Sequence, residues 1–223
     1  IPAPYWVSYP DIIQYAGAKP IIINTLDENQ FKVTPDQINE VITPNTRAII
    51  INSPSNPTGS AYTKNELEAI AECALSNKLL IISDEIYEKI VFDGFDQHSI
   101  CAIDKEVQKN SIIINGVSKG FAMTGWRVGF IGAPLWIAKA CNKIQGQITS
   151  ATCAIAQKAA ERAMLAEPRS TTQKMKDTFL RRRNMVLELL KDIPGIKCNV
   201  PQGAFYVFPD ISYYFGKTDG KVI

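Results

Sequence analysis

Histidine is nearly absent from this sequence, and paired cysteines and long apolar runs are missing. His98 is the only histidine in 223 residues, which makes a histidine-rich zinc site implausible. The five cysteines form no C-x-x-C pair, a pattern typical of buried thiols in a reducing compartment, so we expect a cytoplasmic protein. No apolar run approaches the ~18 residues that a membrane span requires.

An excess of charge of one sign is also missing. The chain has 24 Lys and Arg against 22 Asp and Glu, a net charge of +2, with both signs interspersed. This balance favours neither a nucleic-acid groove nor a membrane surface, and we expect neither as a partner. A chain that is 46% hydrophobic and 21% charged has the composition of an ordinary globular protein. Its length suffices for one large domain, or for one domain and part of another.

Short apolar runs alternate with amphipathic stretches along most of the chain. This pattern predicts an α/β fold, with a largely parallel central sheet and crossover helices. Capping signals predict helices that begin after Thr34 and after Thr63. The predicted strands are 20–24, 48–52, 79–83, 112–115 and 128–132, and later helices are predicted at 135–144 and 151–166.

A long charged helix marks an expected change of domain. We predict a large domain over residues 1–166, a connecting helix over 167–192, and the start of a smaller α+β domain over 193–223. The run GAFYVFP at 203–209 is expected to be the clearest strand of the smaller domain. The chain opens on Ile1 rather than Met and ends without a capping signal, so we interpret both domains as incomplete.

Polar residues follow three of the predicted strands. They are SPSNPTG at 53–59, SDEIY at 83–87 and GVSKG at 116–120. In open α/β sheets, ligands bind at the carboxyl ends of the strands. If these strands are parallel neighbours, the three segments converge on one site.

Two familiar chemistries fit single segments but lack their partners. GVSKG matches the G-x-S-x-G nucleophile elbow, yet a hydrolase triad needs a histidine after Ser118, and His98 precedes it. The run LLIISDE at 79–85 resembles a Walker B strand, yet no G-x-x-x-x-G-K-[ST] loop occurs in the sequence. Both a serine hydrolase and a nucleotide hydrolase are therefore disfavoured.

A third chemistry starts from Lys119, whose amine can form a Schiff base with a carbonyl group. Arg127 offers a planar fork of donors suited to a phosphate, and SDEIY supplies the carboxylate of Asp84 and the phenol of Tyr87. Pyridoxal phosphate requires an amine for its aldehyde, a carboxylate for its ring nitrogen and a cation for its phosphate. The residues therefore indicate this cofactor.

The motifs resemble those of the class I aminotransferases of fold type I, and most of all the bacterial aspartate aminotransferase subgroup. The resemblance runs the whole length of the chain, and GAFY at 203–206 is similar to the opening of the family's small domain. The motifs that carry it are, in family order, PYWVSYP at 4–10, SNPTG at 55–59, SDEIY at 83–87 and SKGFAMTGWRVG at 118–129.

The resemblance implies pyridoxal-phosphate-dependent transamination of an amino acid, with aspartate and 2-oxoglutarate as the favoured substrates, in a homodimer. Lys119 would bind the cofactor through a Schiff base and then move a proton as general base and acid. Asp84 would keep the ring nitrogen protonated. Arg127 would bind the phosphate with help from the Ser118 hydroxyl.

Three further residues complete the implied site. Asn56 and Tyr87 would hydrogen-bond the ring hydroxyl oxygen, and Trp6 would stack on the ring face. Asn56 and Trp6 would also contact the substrate.

Two alternatives stay open within this fold. Other members of the fold use residues that correspond to Lys119, Asp84 and Arg127 for elimination, decarboxylation or cyclisation, or for transamination of a different substrate. The second alternative is a non-catalytic binding protein. The family's phosphate-binding helix start and its substrate-carboxylate arginine are not in this sequence, so we expect the chain alone to be inactive. Gly116 stands where some members carry a phosphate-binding serine.

Overall fold

The centre of the molecule is a four-stranded sheet in the order β3-β4-β5-β6. The structure is a computed structural model that describes residues 1–165 and 169–218. β3, β4 and β5 run parallel, and β6 pairs antiparallel with β5 at the edge. The largely parallel sheet predicted from the sequence is confirmed, and the three polar strand ends are neighbours. The four strands are β3 (Ala48–Asn52), β4 (Leu80–Asp84), β5 (Ser111–Gly116) and β6 (Gly129–Gly132).

Isoleucine supplies eight of the 16 residues of β3, β4 and β5, because a β-branched side chain fits a pleated surface. Ile51 and Ile81 are fully buried, and they share one core with Leu67 and Ile70 of α3 (Lys64–Ser76). Burying a side chain of this size stabilises the fold by about 1.5–3 kcal/mol. This layer holds the strand ends in a fixed position.

Both predicted capping signals begin helices. Thr63 accepts a hydrogen bond from the Glu66 amide, and the Glu66 carboxylate accepts one from the Thr63 amide at 2.7 Å. Thr34 and Gln37 form the same capping box. The remaining helices are α1 (Ser8–Tyr15), α2 (Pro35–Val41), α4 (Lys105–Lys109), α5 (Leu135–Ile148), α6 (Ala154–Leu165) and α7 (Arg169–Lys191), with 3₁₀ turns at Asp27–Asn29, Ile100–Ala102, Thr124–Trp126 and Ser212–Tyr214.

Two small ladders lie outside the central sheet. β1 (Pro2–Ala3) pairs parallel with β2 (Ile23–Asn24), which is shorter than the predicted strand 20–24. β7 (Lys197–Cys198) pairs antiparallel with β8 (Pro209–Asp210).

The strand predicted at 203–209 is wrong for most of its length. Only its last residue belongs to β8, and the segment opens with a single bridge between Gly203 and Val91 and a turn in which Ala204 has φ +57°. Close packing explains the turn. A Cβ on Gly203 would lie 2.6 Å from Cγ of Pro54 and 2.7 Å from the Ile90 carbonyl oxygen. The backbone therefore presses against the first strand-end loop and cannot run on as a strand.

The SPSNPTG loop also contacts this segment through Gly59. Gly59 has φ +69°, and its carbonyl accepts hydrogen bonds from the amides of Gln202 and Gly203, both at 2.9 Å. Backbone hydrogen bonds therefore join the SPSNPTG loop to the 203–206 segment.

A buried arginine is one of the contacts that join α7 to the core. Arg183 forms an ion pair with Asp93 at 2.7 Å, and its Nη1 donates to the Pro201 carbonyl at 2.8 Å. α7 falls within the predicted connecting helix 167–192. Residues 166–168 and 219–223, where the predicted domain boundary and the end of the chain fall, lie outside the described residues, and the division into domains stays a prediction.

The cysteines differ in how deeply they are buried. Cys73 and Cys101 are buried as expected, but Cys141 and Cys153 are exposed, because α5 and the loop after it lie on the surface. Within the described part of the chain, no helix has both the length and the apolar character needed to cross a membrane.

Replacing Gly203 with alanine should weaken the attachment of the 203–206 segment. The added methyl group meets a proline ring and a carbonyl oxygen that cannot easily move, so the free energy of unfolding should fall by about 1–3 kcal/mol. Denaturant titration of the full-length protein measures this change.

Gly146→Ala is the matched control, because its Cβ would enter open space in α5. It should raise stability by about 0.5–1 kcal/mol, since glycine weakens a helix interior. A Gly203→Ala protein as stable as the parent would refute the packing argument.

Candidate active site

The first two strand ends are bound to each other by an asparagine. Asn52 ends β3 and pairs in register with Asp84, which ends β4. Its Nδ2 donates to the Asp84 carbonyl at 2.9 Å, and its Oδ1 accepts from the Asn56 amide at 2.7 Å. Asn52 therefore holds the loop that carries Asn56 against the strand that carries Asp84. Sequence reasoning missed this role, because the residue reads as the end of an apolar run.

Asp84 is a partly buried carboxylate without a cationic partner among the residues described. Its Oδ2 accepts a hydrogen bond from the Tyr9 hydroxyl at 2.7 Å, and its Oδ1 accepts from the Ile86 amide at 3.2 Å. Burial raises the pKa of the Asp84 carboxyl, and the bonds from Tyr9 and Ile86 oppose that rise. A carboxylate in this position can receive a cationic group that brings its own proton.

Tyr9 is a site residue that the sequence did not reveal. It is buried, and its ring meets Trp6 edge-on with 5.4 Å between ring centroids. Burial and then the Asp84 charge raise the pKa of Tyr9 well above its usual range, so the hydroxyl keeps its proton and donates. Trp6 itself is 40% exposed, which leaves its face open to a ligand. The only sequence signal was the position of Tyr9 within PYWVSYP.

Lys119 follows β5 and places its amine beside a pair of aromatic rings. Nζ lies 5.8 Å from the ring centroid of Tyr87 and 5.7 Å from that of Phe205. Aromatic faces attract a cation without neutralising it. No hydrogen bond or ion pair engages this amine within the described ranges. The amine is therefore held in place and open to a carbonyl group.

Tyr87 lies at the centre of the aromatic wall of the site. Its side chain is buried, its hydroxyl is 2.6 Å from that of Tyr206, and its ring meets Phe205 edge-on at 5.3 Å. Burial, followed by the bond to Tyr206, raises the pKa of Tyr87 far above its usual range. Phe205 and Tyr206 were assigned to a strand, so their place in the site was missed.

Ser118 lies just after β5 and Arg127 lies just before β6, the two strands that pair at the edge of the sheet. Gly116 pairs with Gly129 across β5 and β6, and the Val117 amide donates to the Val128 carbonyl at 3.3 Å. Beyond that bond Ser118 enters a turn, and no described contact pairs it with Arg127. Arg127 is exposed, has φ +54°, and donates to the Thr124 carbonyl at 3.0 Å. No described hydrogen bond or ion pair joins it to Asp84, Tyr87 or Lys119.

The predicted site residues therefore fall into two groups. Direct contacts or one intervening residue connect Trp6, Asn56, Asp84, Tyr87 and Lys119. The second group is Ser118 and Arg127, which no described side-chain contact joins to the first group or to each other.

Removing the Tyr9 hydroxyl should change the titration of Asp84. In Tyr9→Phe the carboxylate loses a donor that favours its charged form, so its pKa should rise further. A ¹³C NMR pH titration of labelled aspartate in the full-length protein, without added cofactor, measures the change.

Tyr62→Phe is the matched control, since the Tyr62 hydroxyl accepts from the Val33 amide at 2.9 Å. It should leave the Asp84 titration unchanged. An unaltered or lower Asp84 pKa in Tyr9→Phe would show that the hydrogen bond has no electrostatic effect.

Known proteins are similar to this chain in both sequence and fold. The sequence model described as "Aminotransferase class I and II" matches residues 1–218. Aspartate aminotransferase of Geobacillus stearothermophilus is 46% identical over 210 residues, which cover 94% of this chain and 53% of that protein. Aspartate/prephenate aminotransferase of Cereibacter sphaeroides is 45% identical over 219 residues, covering 98% and 54%.

Solved structures of aminotransferases are also similar to this chain in fold. Aspartate aminotransferase from Rhizobium meliloti superposes with a TM-score of 0.91 at 37% identity, covering 93% of this chain and 52% of that one. The aromatic aminotransferase from Pyrococcus horikoshii gives a TM-score of 0.90 at 39% identity, covering 93% and 56%. The chain spans about half the length of the curated relatives it matches. It belongs to the class I and II aminotransferases, a family that depends on pyridoxal phosphate.

Proposed function

We propose that the protein carrying this chain is an aminotransferase that moves an amino group from aspartate to a 2-oxo acid, with 2-oxoglutarate as the favoured acceptor. The family match supports amino transfer, and one observation of the site supports the cofactor chemistry. A partly buried carboxylate without a described cationic partner and a held but unpartnered amine lie at the ends of neighbouring parallel strands. The choice of aspartate rests on the names of the relatives, which also include aspartate/prephenate and aromatic aminotransferases.

The described residues fit the cofactor of the family. The Asp84 carboxylate suits a protonated ring nitrogen, and the free amine of Lys119 suits an aldehyde. The exposed guanidinium of Arg127 suits a phosphate, and the hydroxyl of Ser118 is the expected second donor. When bound, pyridoxal phosphate supplies a ring that accepts electrons from the substrate Cα.

The chain's own groups then have defined tasks. Asp84 holds the proton of the ring nitrogen, because a neighbouring anion favours the cationic form. The Lys119 amine takes a proton from the substrate Cα and returns it, as general base and acid. Tyr87 and Asn56 would donate hydrogen bonds to the ring oxygen of a bound cofactor and favour its anionic form. Trp6, which is 40% exposed, would contact the ring and the substrate.

The described lining of the cleft beside Asn56 offers no charged side chain to a substrate. Tyr5, Tyr9 and Asn52 lie along it, and none of its described lining side chains carries a formal charge. A substrate with carboxylates needs cationic partners, for which arginine is best suited. These partners are therefore expected outside this cleft, and they decide between aspartate and other amino acids.

We also propose that the full-length protein is a cytoplasmic homodimer. Large apolar side chains of α5 are exposed, among them Leu135, Trp136, Ile144 and Ile148. Extended apolar surface of this kind marks a contact with another surface. Light scattering of the full-length protein should give twice the mass of one chain, and a monomer would contradict the proposal.

Borohydride reduction in the presence of pyridoxal phosphate tests the proposed function directly. Peptide mass mapping of the full-length protein should find a stable pyridoxyl group on Lys119, since reduction fixes the bond between its amine and the aldehyde. Lys119→Ala should abolish the adduct, whereas Lys143→Ala, which changes an exposed lysine of α5, should retain it.

Absence of an adduct on Lys119 in the parent would refute the cofactor assignment and favour a binding protein on the same fold. With the adduct established, an assay of aspartate with 2-oxoglutarate should yield oxaloacetate. Release of ammonia or carbon dioxide instead would indicate one of the other reactions of this fold.

A further inference from the structure

We propose that Tyr206 is a positioning residue that aims the hydroxyl of Tyr87 at the bound cofactor. The two residues are 119 positions apart in the chain, and their hydroxyl oxygens lie 2.6 Å apart. The inference rests on the proposed function, since Tyr87 is the residue expected to donate to the ring oxygen. It gives the 203–206 segment a part in the chemistry of the site.

The backbone fixes where the Tyr206 hydroxyl can be. The Ala204 amide donates to the Ile90 carbonyl at 2.8 Å, and the Phe92 amide donates to the Gln202 carbonyl at 2.9 Å. These bonds attach the segment to the stretch that directly follows Tyr87. The contact between the two hydroxyls is therefore a consequence of main-chain pairing.

Ring packing restricts the two tyrosines further. Phe205 stacks on Phe179 of α7 at 5.1 Å and meets Tyr87 edge-on at 5.3 Å. The rings of Tyr206 and Tyr87 are also edge-on, at 5.7 Å. Neighbours held in this way leave few rotamers for either side chain, so the hydroxyl pair is a fixed feature of the site.

A tyrosine hydroxyl has one proton to donate and lone pairs to accept with. When Tyr206 donates to Tyr87, the proton of Tyr87 is free to point to another acceptor. Accepting a hydrogen bond also strengthens the bond that the same hydroxyl donates. Tyr206 thus makes Tyr87 a directed donor to the ring oxygen, and without it the Tyr87 hydroxyl can rotate.

Other groups near Tyr87 do not offer this effect. Asp84 and Lys119 are charged and can shift a titration, but neither is hydrogen-bonded to the Tyr87 hydroxyl. α7 contributes the apolar side chains of Met175, Phe179 and Leu180 to the cluster that contains Tyr87. Among the described residues, the titratable groups that interact with Tyr87 are Tyr9 from α1, Asp84 from β4, Lys119 from the loop after β5, and Tyr206.

The test compares Tyr206→Phe, Tyr87→Phe and the double variant in the full-length protein loaded with pyridoxal phosphate. The readouts are the cofactor dissociation constant and the pH midpoint of the cofactor's visible absorbance change. Tyr206→Phe should weaken cofactor binding about three- to tenfold, the range for one lost hydrogen bond. It should also move the midpoint to higher pH, because a poorly directed donor stabilises the anionic ring oxygen less.

The double variant separates positioning from mere support of the fold. If Tyr206 acts through Tyr87, the double variant should match Tyr87→Phe in both readouts. Tyr214→Phe, which removes the hydroxyl that donates to the Pro194 carbonyl, should resemble the parent.

Two results would overturn the inference while leaving the proposed function intact. One is a Tyr206→Phe protein with parental affinity and midpoint. The other is a double variant whose effects are the sum of the single ones. A parent protein that binds no pyridoxal phosphate would instead remove the proposed function, and the inference with it.

Discussion

The parallel pairing of β3, β4 and β5 is the constraint on which the site depends. Parallel strands deliver their carboxyl ends to one edge, so segments that are about thirty residues apart in the chain become neighbours there. The register sets Asn52 beside Asp84 and Asp84 beside Ile114, five residues before Lys119. The isoleucine core beneath these strands fixes that edge, and each functional side chain needs only a short loop to reach the site.

Strand alternation separates two consecutive carboxylates into different roles. Glu85 is buried, and its Oε1 accepts hydrogen bonds from the hydroxyls of Ser83 and Ser99, both at 2.9 Å. Asp84 faces the site and accepts from Tyr9 and one amide. Burial raises the pKa of both groups. Glu85 is satisfied within the protein, whereas Asp84 can also receive a cation, and this difference is why Asp84 is the proposed partner of the cofactor nitrogen.

The parts of this arrangement that are local in sequence could be predicted. The run at 48–52 is a strand within the same bounds, and the polar residues after β3, β4 and β5 do lie at one edge, because strand period and capping are short-range signals. Asp84, Tyr87 and Lys119 could be named for the same reason.

Long-range contacts could not be predicted. The Tyr9 bond to Asp84 spans 75 residues, and the Tyr206 bond to Tyr87 spans 119. GAFYVFP has strand composition, but Gly203 packs against Pro54 and Ala204 has a positive φ. The chain therefore turns towards the site instead of continuing as a strand. A single sequence records the residue types of such contacts but not the packing that creates them.

In the proposed site, Asp84 keeps the cofactor nitrogen protonated. The most direct measurement is the ¹⁵N chemical shift of the ring nitrogen of labelled pyridoxal phosphate in the full-length protein at neutral pH. The account predicts a protonated nitrogen in the parent and an unprotonated one in Asp84→Asn. An unprotonated nitrogen in the parent, or no difference between the two proteins, would contradict it.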